Sequence, residues 1–133
     1  MNQANLHKAL WWTPEDNGIV KCCLCPRYCR IPEGKTGFCA VRKNVEGVLY
    51  ALSYGYPVAL QIDPIEKKPL YHFMRGTRTF SLGTLGCNLY CIFCQNHHLS
   101  RGYYLEKRRY EYYSTEKIVE LTQRHGCESI SYT

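Results

Sequence analysis

The sequence predicts an α/β chain in which a small cysteine-rich, β-containing metal-binding region precedes a strand, a cysteine loop, a helix and a second strand. Three observations point there. The short apolar run Phe80-Ser81-Leu82-Gly83-Thr84 reads as a buried strand and empties into a glycine-flanked loop carrying Cys87, Cys91 and Cys94. An earlier cysteine group, Cys22 to Cys39, is followed by stretches rich in β-branched and aromatic residues. Towards the end, Ser114 stands where a helix cap belongs, Gly126 where a helix stops, and a strand-like segment, 129–133, follows. One βα unit with a second strand is the opening of a parallel, right-handed arrangement. Two parallel strands do not cover their own faces. The expected division is therefore 1–75, cysteine-rich with a β meander, and 76–133, the start of a larger α/β domain whose remainder is missing.

Bulk properties suit a folded protein. Of 133 residues, 45% are hydrophobic and 21% charged, the balance of a globular chain. Nine cysteines is an odd count, and no stretch has a signal peptide's apolar core, which argues against a secreted disulfide scaffold. Thiols in that number fit metal ligands in a reducing cytoplasm. No run approaches the roughly 18 apolar residues of a membrane span. The net charge of +6 is scattered rather than gathered in one stripe, which favours solubility over nucleic-acid binding.

In chain order, Ala4 to Trp12 sets Leu6, Ala9 and Leu10 on one helical face, with Pro14 and Gly18 ending the helix. Trp11 and Trp12 read as packing residues. Cys22, Cys25, Cys29 and Cys39 form C-x2-C-x3-C-x9-C, two close pairs bridged by a loop with Pro32, Gly34 and Gly37. Four thiolates so spaced suit a tetrahedral zinc. Cys25-Pro26 is also the Cys-Pro step of ferredoxin-type loops, so a second iron–sulfur cluster stays open. Cys23, with a poor bite towards Cys25, reads as a buried thiol. Phe38–Arg42, Val48–Ser53 and Tyr56–Ile62 then read as a meander turned at 44–47 and Gly55. So small a core needs its metal for stability. Asp63 to Met74, with Pro64 and Pro69, reads as a solvated connection whose polar residues are Glu66, Lys67, Lys68 and His72.

The loop after the apolar run carries its cysteines at C-x3-C-x2-C. A closed structural site takes four protein ligands, whereas a working site leaves one position open. Three thiolates fix three corners of a cubane cluster and leave the fourth iron free. A rival reading adds His97 and makes Cys87, Cys91, Cys94 and His97 a complete Cys3His zinc set. Beyond it, Ser100 to Tyr113 interleaves four basic residues with five tyrosines. That pattern reads first as an exposed connection and second as a platform for single-stranded nucleic acid. Ser114 then caps a helix over Thr115–His125, with Ile118, Leu121 and Thr122 on one face. Cys127 reads as a small buried residue at the entrance of the last strand.

C-x3-C-x2-C with Phe93 before the third cysteine resembles the cluster loop of the radical S-adenosylmethionine (SAM) superfamily. Gly86-Cys87-Asn88 and Cys94-Gln95-Asn96 resemble the branch that holds the pyruvate formate-lyase and other glycyl-radical activating enzymes. DPIEKKPLYHF, Asp63 to Phe73, resembles the AmmeMemoRadiSam family, named for its association with Memo-type and Ammecr-type proteins. The likeness runs from near Leu10 to the last residue. It implies that Cys87, Cys91 and Cys94 bind a 4Fe–4S cluster whose open iron chelates SAM. It implies reductive cleavage of SAM and hydrogen abstraction from a substrate, with Phe93 lying along the adenine. It implies a partial barrel of about six βα units, an electron donor, and either a protein substrate or Memo-type and Ammecr-type partners. It leaves open the metal at Cys22, Cys25, Cys29 and Cys39, and it assigns no catalytic residue.

Three functions follow as expectations. The first is a radical SAM enzyme, present here as its N-terminal portion and incomplete for turnover. The second is a zinc-binding module with a basic, tyrosine-rich arm for nucleic acid. The third is a catalytically inactive remnant that keeps the cysteine-rich fold.

Overall fold

The computed structural model describes residues 6–101 and 110–132. They divide into two compact units that interleave in sequence. The described parts of Met1–Tyr54 and Leu85–Arg109 make the first, and those of Gly55–Thr84 and Tyr110–Thr133 the second. Neither is a single stretch such as 1–75 or 76–133, because strand pairing sends residues 59–64 to a partner beyond residue 77. No described helix is long and apolar enough to cross a membrane.

The first unit contains strands β1 (His7–Lys8), β2 (Trp12–Pro14), β3 (Val20–Cys22), β4 (Arg30–Ile31), β5 (Arg42–Val45) and β6 (Val48–Ala51), and one helical turn, α1 (His97–Ser100). They form two antiparallel sheets, ordered β1-β6-β5 and β2-β3-β4. Alternation along β3 turns Val20 and Cys22 inward, where they meet Ala9, Ile31 and Leu49. Asn44 is fully buried and fully occupied. Its amide donates to the carbonyls of Gly18 and Ile31, both at 2.8 Å, and its side-chain oxygen accepts from the Gly47 N–H at 3.0 Å. Glu46 and Gly47 both take positive φ, the tight turn that joins β5 to β6.

The second unit contains β7 (Ala59–Pro64), β8 (Arg78–Gly83), α2 (Thr115–Arg124) and β9 (Ser129–Tyr132). β8 is central, antiparallel to β7 and parallel to β9. Its residues 79–83 are all buried, as the apolar run predicts. Ser114 Oγ accepts from the Lys117 N–H at 3.2 Å and caps α2, and Gly126, at φ 60°, ends it. Ile118 and Thr122 are buried, Leu121 packs beside them, and Cys127 closes a core with Phe80 and Leu82. Helix, cap, stop and parallel strand are thus where the sequence puts them.

Several expectations fail, each for a tertiary reason. The helix over Ala4–Trp12 is absent in its described part, since residues 7–8 pair with β6 and 12–14 with β3. Trp11 takes φ 60° and is 68% exposed, so only Trp12 packs against the core. The two thiols at 22 and 23 are reversed: Cys22 is buried and Cys23 exposed, because strand alternation makes neighbours face opposite ways. The meander has two strands, not three. Residues 38–41 turn rather than extend, and the third strand leaves at Gly55 to pair with β8. Asp63 is no part of a solvated linker. It is the penultimate residue of β7 and lies buried, and a 3-10 turn over Ile65–Lys67 follows the strand.

Candidate metal centre

Cys22, Cys23, Cys25, Cys29, Cys39, Cys87, Cys91 and Cys94 all fall in the first unit, leaving only Cys127 in the second, and all are free thiols. The fold therefore gathers into one unit two cysteine groups that lie nearly 50 positions apart in sequence, from Cys39 to Cys87.

In the earlier group, the Cys22 N–H donates to the Cys29 carbonyl at 2.9 Å, and the Tyr28 N–H to the Cys25 carbonyl at 3.2 Å. The Phe38 N–H points at Cys29 Sγ, 3.5 Å away. Burial pushes the Cys39 thiol above its usual range, and nearby Cys22 and Cys29 add to the rise. Backbone N–H groups of Val41 and Arg42 act the other way. Cys25 sits on the turn that the Tyr28 N–H closes.

The later group begins four residues beyond β8. Gly86 has φ 96°, and a Cβ there would lie 2.5 Å from Val41 Cγ1 and 2.8 Å from the Cys39 carbonyl oxygen. Only glycine fits such a close backbone approach. The Gly86 N–H donates to the Leu99 carbonyl at 2.9 Å and closes the base of the loop. Cys87, Cys91 and Cys94 are each half-buried. Cys87 Sγ accepts from the Leu89 N–H at 3.4 Å, and the Cys94 thiol donates to Ser100 Oγ at 3.5 Å. Ile92 and Phe93 project outward, 94% and 85% exposed. The His97 ring meets His98 edge-on at 5.8 Å.

Among the described residues, no three Cys, His, Asp or Glu side chains are drawn together closely enough to hold a metal ion. The donor set is nonetheless of the right chemistry for thiophilic metal: free thiols, most of them half-buried, with backbone N–H groups already aimed at the sulfurs of Cys29 and Cys87. A fully formed cage is seldom present before its metal, because binding and local folding are one equilibrium.

Four residues that sequence reading passed over stand around these thiols. Arg27, Phe38, Tyr90 and Arg101 link the two cysteine segments by stacking and by hydrogen bonds to loop carbonyls. Phe38, Tyr90 and Arg101 also line a hollow of about 40 Å³, together with Cys39 and Cys87. That is room for a water or two. Arginine and aromatic residues near cysteines are too common for their spacing to have flagged them. In the second unit, the overlooked residue is Asp63. Its carboxylate accepts from Lys67 at 2.7 Å, Lys68 at 3.0 Å and Ser81 at 2.7 Å. The basic, tyrosine-rich arm of 100–113 lies mostly outside the described residues.

No family model matches this chain, and no solved structure does. It is 44% identical over 128 residues to an uncharacterized protein, MJ0808, of Methanocaldococcus jannaschii. That alignment takes in 96% of this chain and 38% of the relative, so the chain spans well under half of the length of the curated relative it matches.

Proposed function

We propose that Cys87, Cys91 and Cys94 hold a 4Fe–4S cluster, and that the chain is the cluster-bearing part of a cytoplasmic radical SAM enzyme of the AmmeMemoRadiSam type. The observation that carries this reading is the loop itself. It presents three half-buried free thiols within eight residues, is closed at its base by the Gly86–Leu99 hydrogen bond, and follows a strand that pairs in parallel with the next strand after a helix. When bound through three thiolates, such a cluster leaves one iron open to SAM and supplies the electron for its reductive cleavage. The chain's own residues hold and orient. The Leu89 N–H donates to Cys87 Sγ, and the exposed ring of Phe93 offers a flat face for the adenine. The strand–helix–strand unit is the first part of a partial barrel in this reading. An electron donor is required, and a protein substrate or Memo-type and Ammecr-type proteins are the partners implied. Cys22, Cys25, Cys29 and Cys39 form the second site, for zinc or another cluster, supported by their C-x2-C-x3-C-x9-C spacing.

The Cys3His zinc alternative needs His97 beside Cys94. The Cys94 thiol is turned to Ser100 instead, and His97 meets His98 edge-on.

Anaerobic reconstitution followed by iron, sulfide and zinc analysis and electron paramagnetic resonance of the reduced sample decides between them. The proposal expects about four irons at the loop, a signal that changes when SAM is added, loss of that cluster in Cys91→Ala, and retention in His97→Ala. Bound zinc that disappears equally in Cys91→Ala and His97→Ala would establish the zinc module instead. The same analysis assigns the second site by whether zinc or additional iron survives Cys91→Ala and is lost in Cys29→Ala.

A further inference from the structure

We propose that the earlier cysteine segment clamps the Cys87–Cys94 loop through a ladder of four side chains, Arg27, Phe38, Tyr90 and Arg101, which act as positioning residues for the loop's thiols. The ladder alternates cation and ring. The Arg27 guanidinium lies 3.4 Å from the centre of the Phe38 ring. Phe38 meets Tyr90 edge-to-face at 5.8 Å. The Arg101 guanidinium lies 3.6 Å from the centre of Tyr90. Each end of the ladder also grips backbone. Arg27 Nε donates to the Asn88 carbonyl at 2.6 Å, one residue past Cys87, and Arg101 donates to the carbonyl of Cys91 itself at 3.3 Å.

The chemistry calls for arginine at both ends. A guanidinium stacks by its face while its edge N–H groups donate, which a lysine ammonium does not reproduce. Arg27 lies between Cys25 and Cys29, and Phe38 immediately precedes Cys39. Whatever stiffens the earlier cysteine group therefore stiffens the clamp. That gives this group a role: it holds the later loop in place. Two fixed positive charges beside the loop also lower the cost of adding negative charge to a thiolate-bound cluster. This last consequence rests on the cluster reading proposed above; the clamp does not.

The test uses the full chain, metal-free and reduced, with timed N-ethylmaleimide labelling read cysteine by cysteine by mass spectrometry. Arg27→Gln and Arg101→Gln should each speed labelling of Cys87 and Cys91 by about tenfold, because each frees one end of the loop. Arg27→Lys should not restore the slow rate. Arg30→Gln is the control, since Arg30 pairs with Glu15 and touches neither loop carbonyl. Cys22, buried in the core of the same unit, reports that the fold survives. Unchanged labelling in both Gln variants, or full rescue by Lys, would overturn the clamp. After reconstitution, both Gln variants should show a lowered reduction potential. If the wild-type chain takes up no iron while labelling responds, the cluster reading fails and the clamp stands. If iron binds but labelling is indifferent, the clamp alone is wrong.

Discussion

The unit that carries the paired cysteine groups and the unit built on the strand–helix–strand core hold themselves together by different means. In the second, β7 and β8 pair over six residues, β9 adds four in parallel, and a capped helix shares a core with Phe80, Leu82 and Cys127. Regular hydrogen bonding and apolar burial do most of the work there. In the first, strands are two to four residues long, and Trp11, Tyr28 and Ala40 hold left-handed backbone close to the cysteines. Such residues cost of order 1–2 kcal/mol each. On the reading proposed above, metal binding offsets that cost, since in small metal-bound regions the binding energy is folding energy. The difference teaches where each kind of damage should register.

Both tryptophans belong to the first unit and the long helix to the second, so fluorescence and far-ultraviolet circular dichroism follow them separately. The largest effect is expected at Gly86. Gly86→Ala drives a methyl into Val41 and the Cys39 carbonyl at positive φ, and should cost about 4 kcal/mol from strain and overpacking together. Fluorescence-monitored denaturation should shift and loop cluster assembly should fail, while the helix signal holds. A cost under about 1 kcal/mol would mean that the loop is not pressed against residues 39–41.

Next comes Asp63, in the second unit. Asp63→Ala leaves Lys68 and Ser81 without their shared acceptor and should cost about 3 kcal/mol, the lower end for breaking a buried pair. The loss should appear in dichroism and spare the tryptophans. The hydrogen bond from Lys67 holds the Asp63 carboxyl well below the usual range, with Ser81 and Lys68 assisting against the opposing effect of burial. A lowered folded-state pKa means stability that is present above the unfolded value, near 3.8, and lost as pH falls below it towards the folded value. The wild-type second unit should therefore weaken progressively below about pH 4. That part of its acid sensitivity should be missing from Asp63→Ala, and an identical acid profile would remove Asp63 as its source.

The smallest effect is local. Ser114→Ala removes the acceptor for the Lys117 N–H and should lower the helix transition by about 1 kcal/mol, with no change in fluorescence or in thiol labelling.

Local pattern sufficed for much of the second unit. Ser114 and Gly126 mark the ends of α2 through backbone chemistry that depends only on neighbours a turn away, and the apolar run around Phe80 has the length and flanks of a buried strand. Ionic burial there was illegible: Asp63 looks solvated beside Pro64 until Ser81 of the paired strand, 18 positions on, is placed over it.

The cysteine spacings, likewise, are local, and they mark the candidate thiols by themselves: three on one short loop, four in an earlier group. Their companions were set only by tertiary structure. Whether Cys22 or Cys23 faces inward depends on which partner β3 takes, and a one-residue slip would exchange them. That Arg27 reaches Asn88, 61 positions away, and that Gly86 must be glycine because Cys39 lies against it, are facts of chain crossing. Spacing along a chain carries the chemistry of a ligand set, because ligands on one loop stay together however the rest folds. It carries nothing of the clamp, because stacking and close approach exist only between segments that folding has already brought into contact.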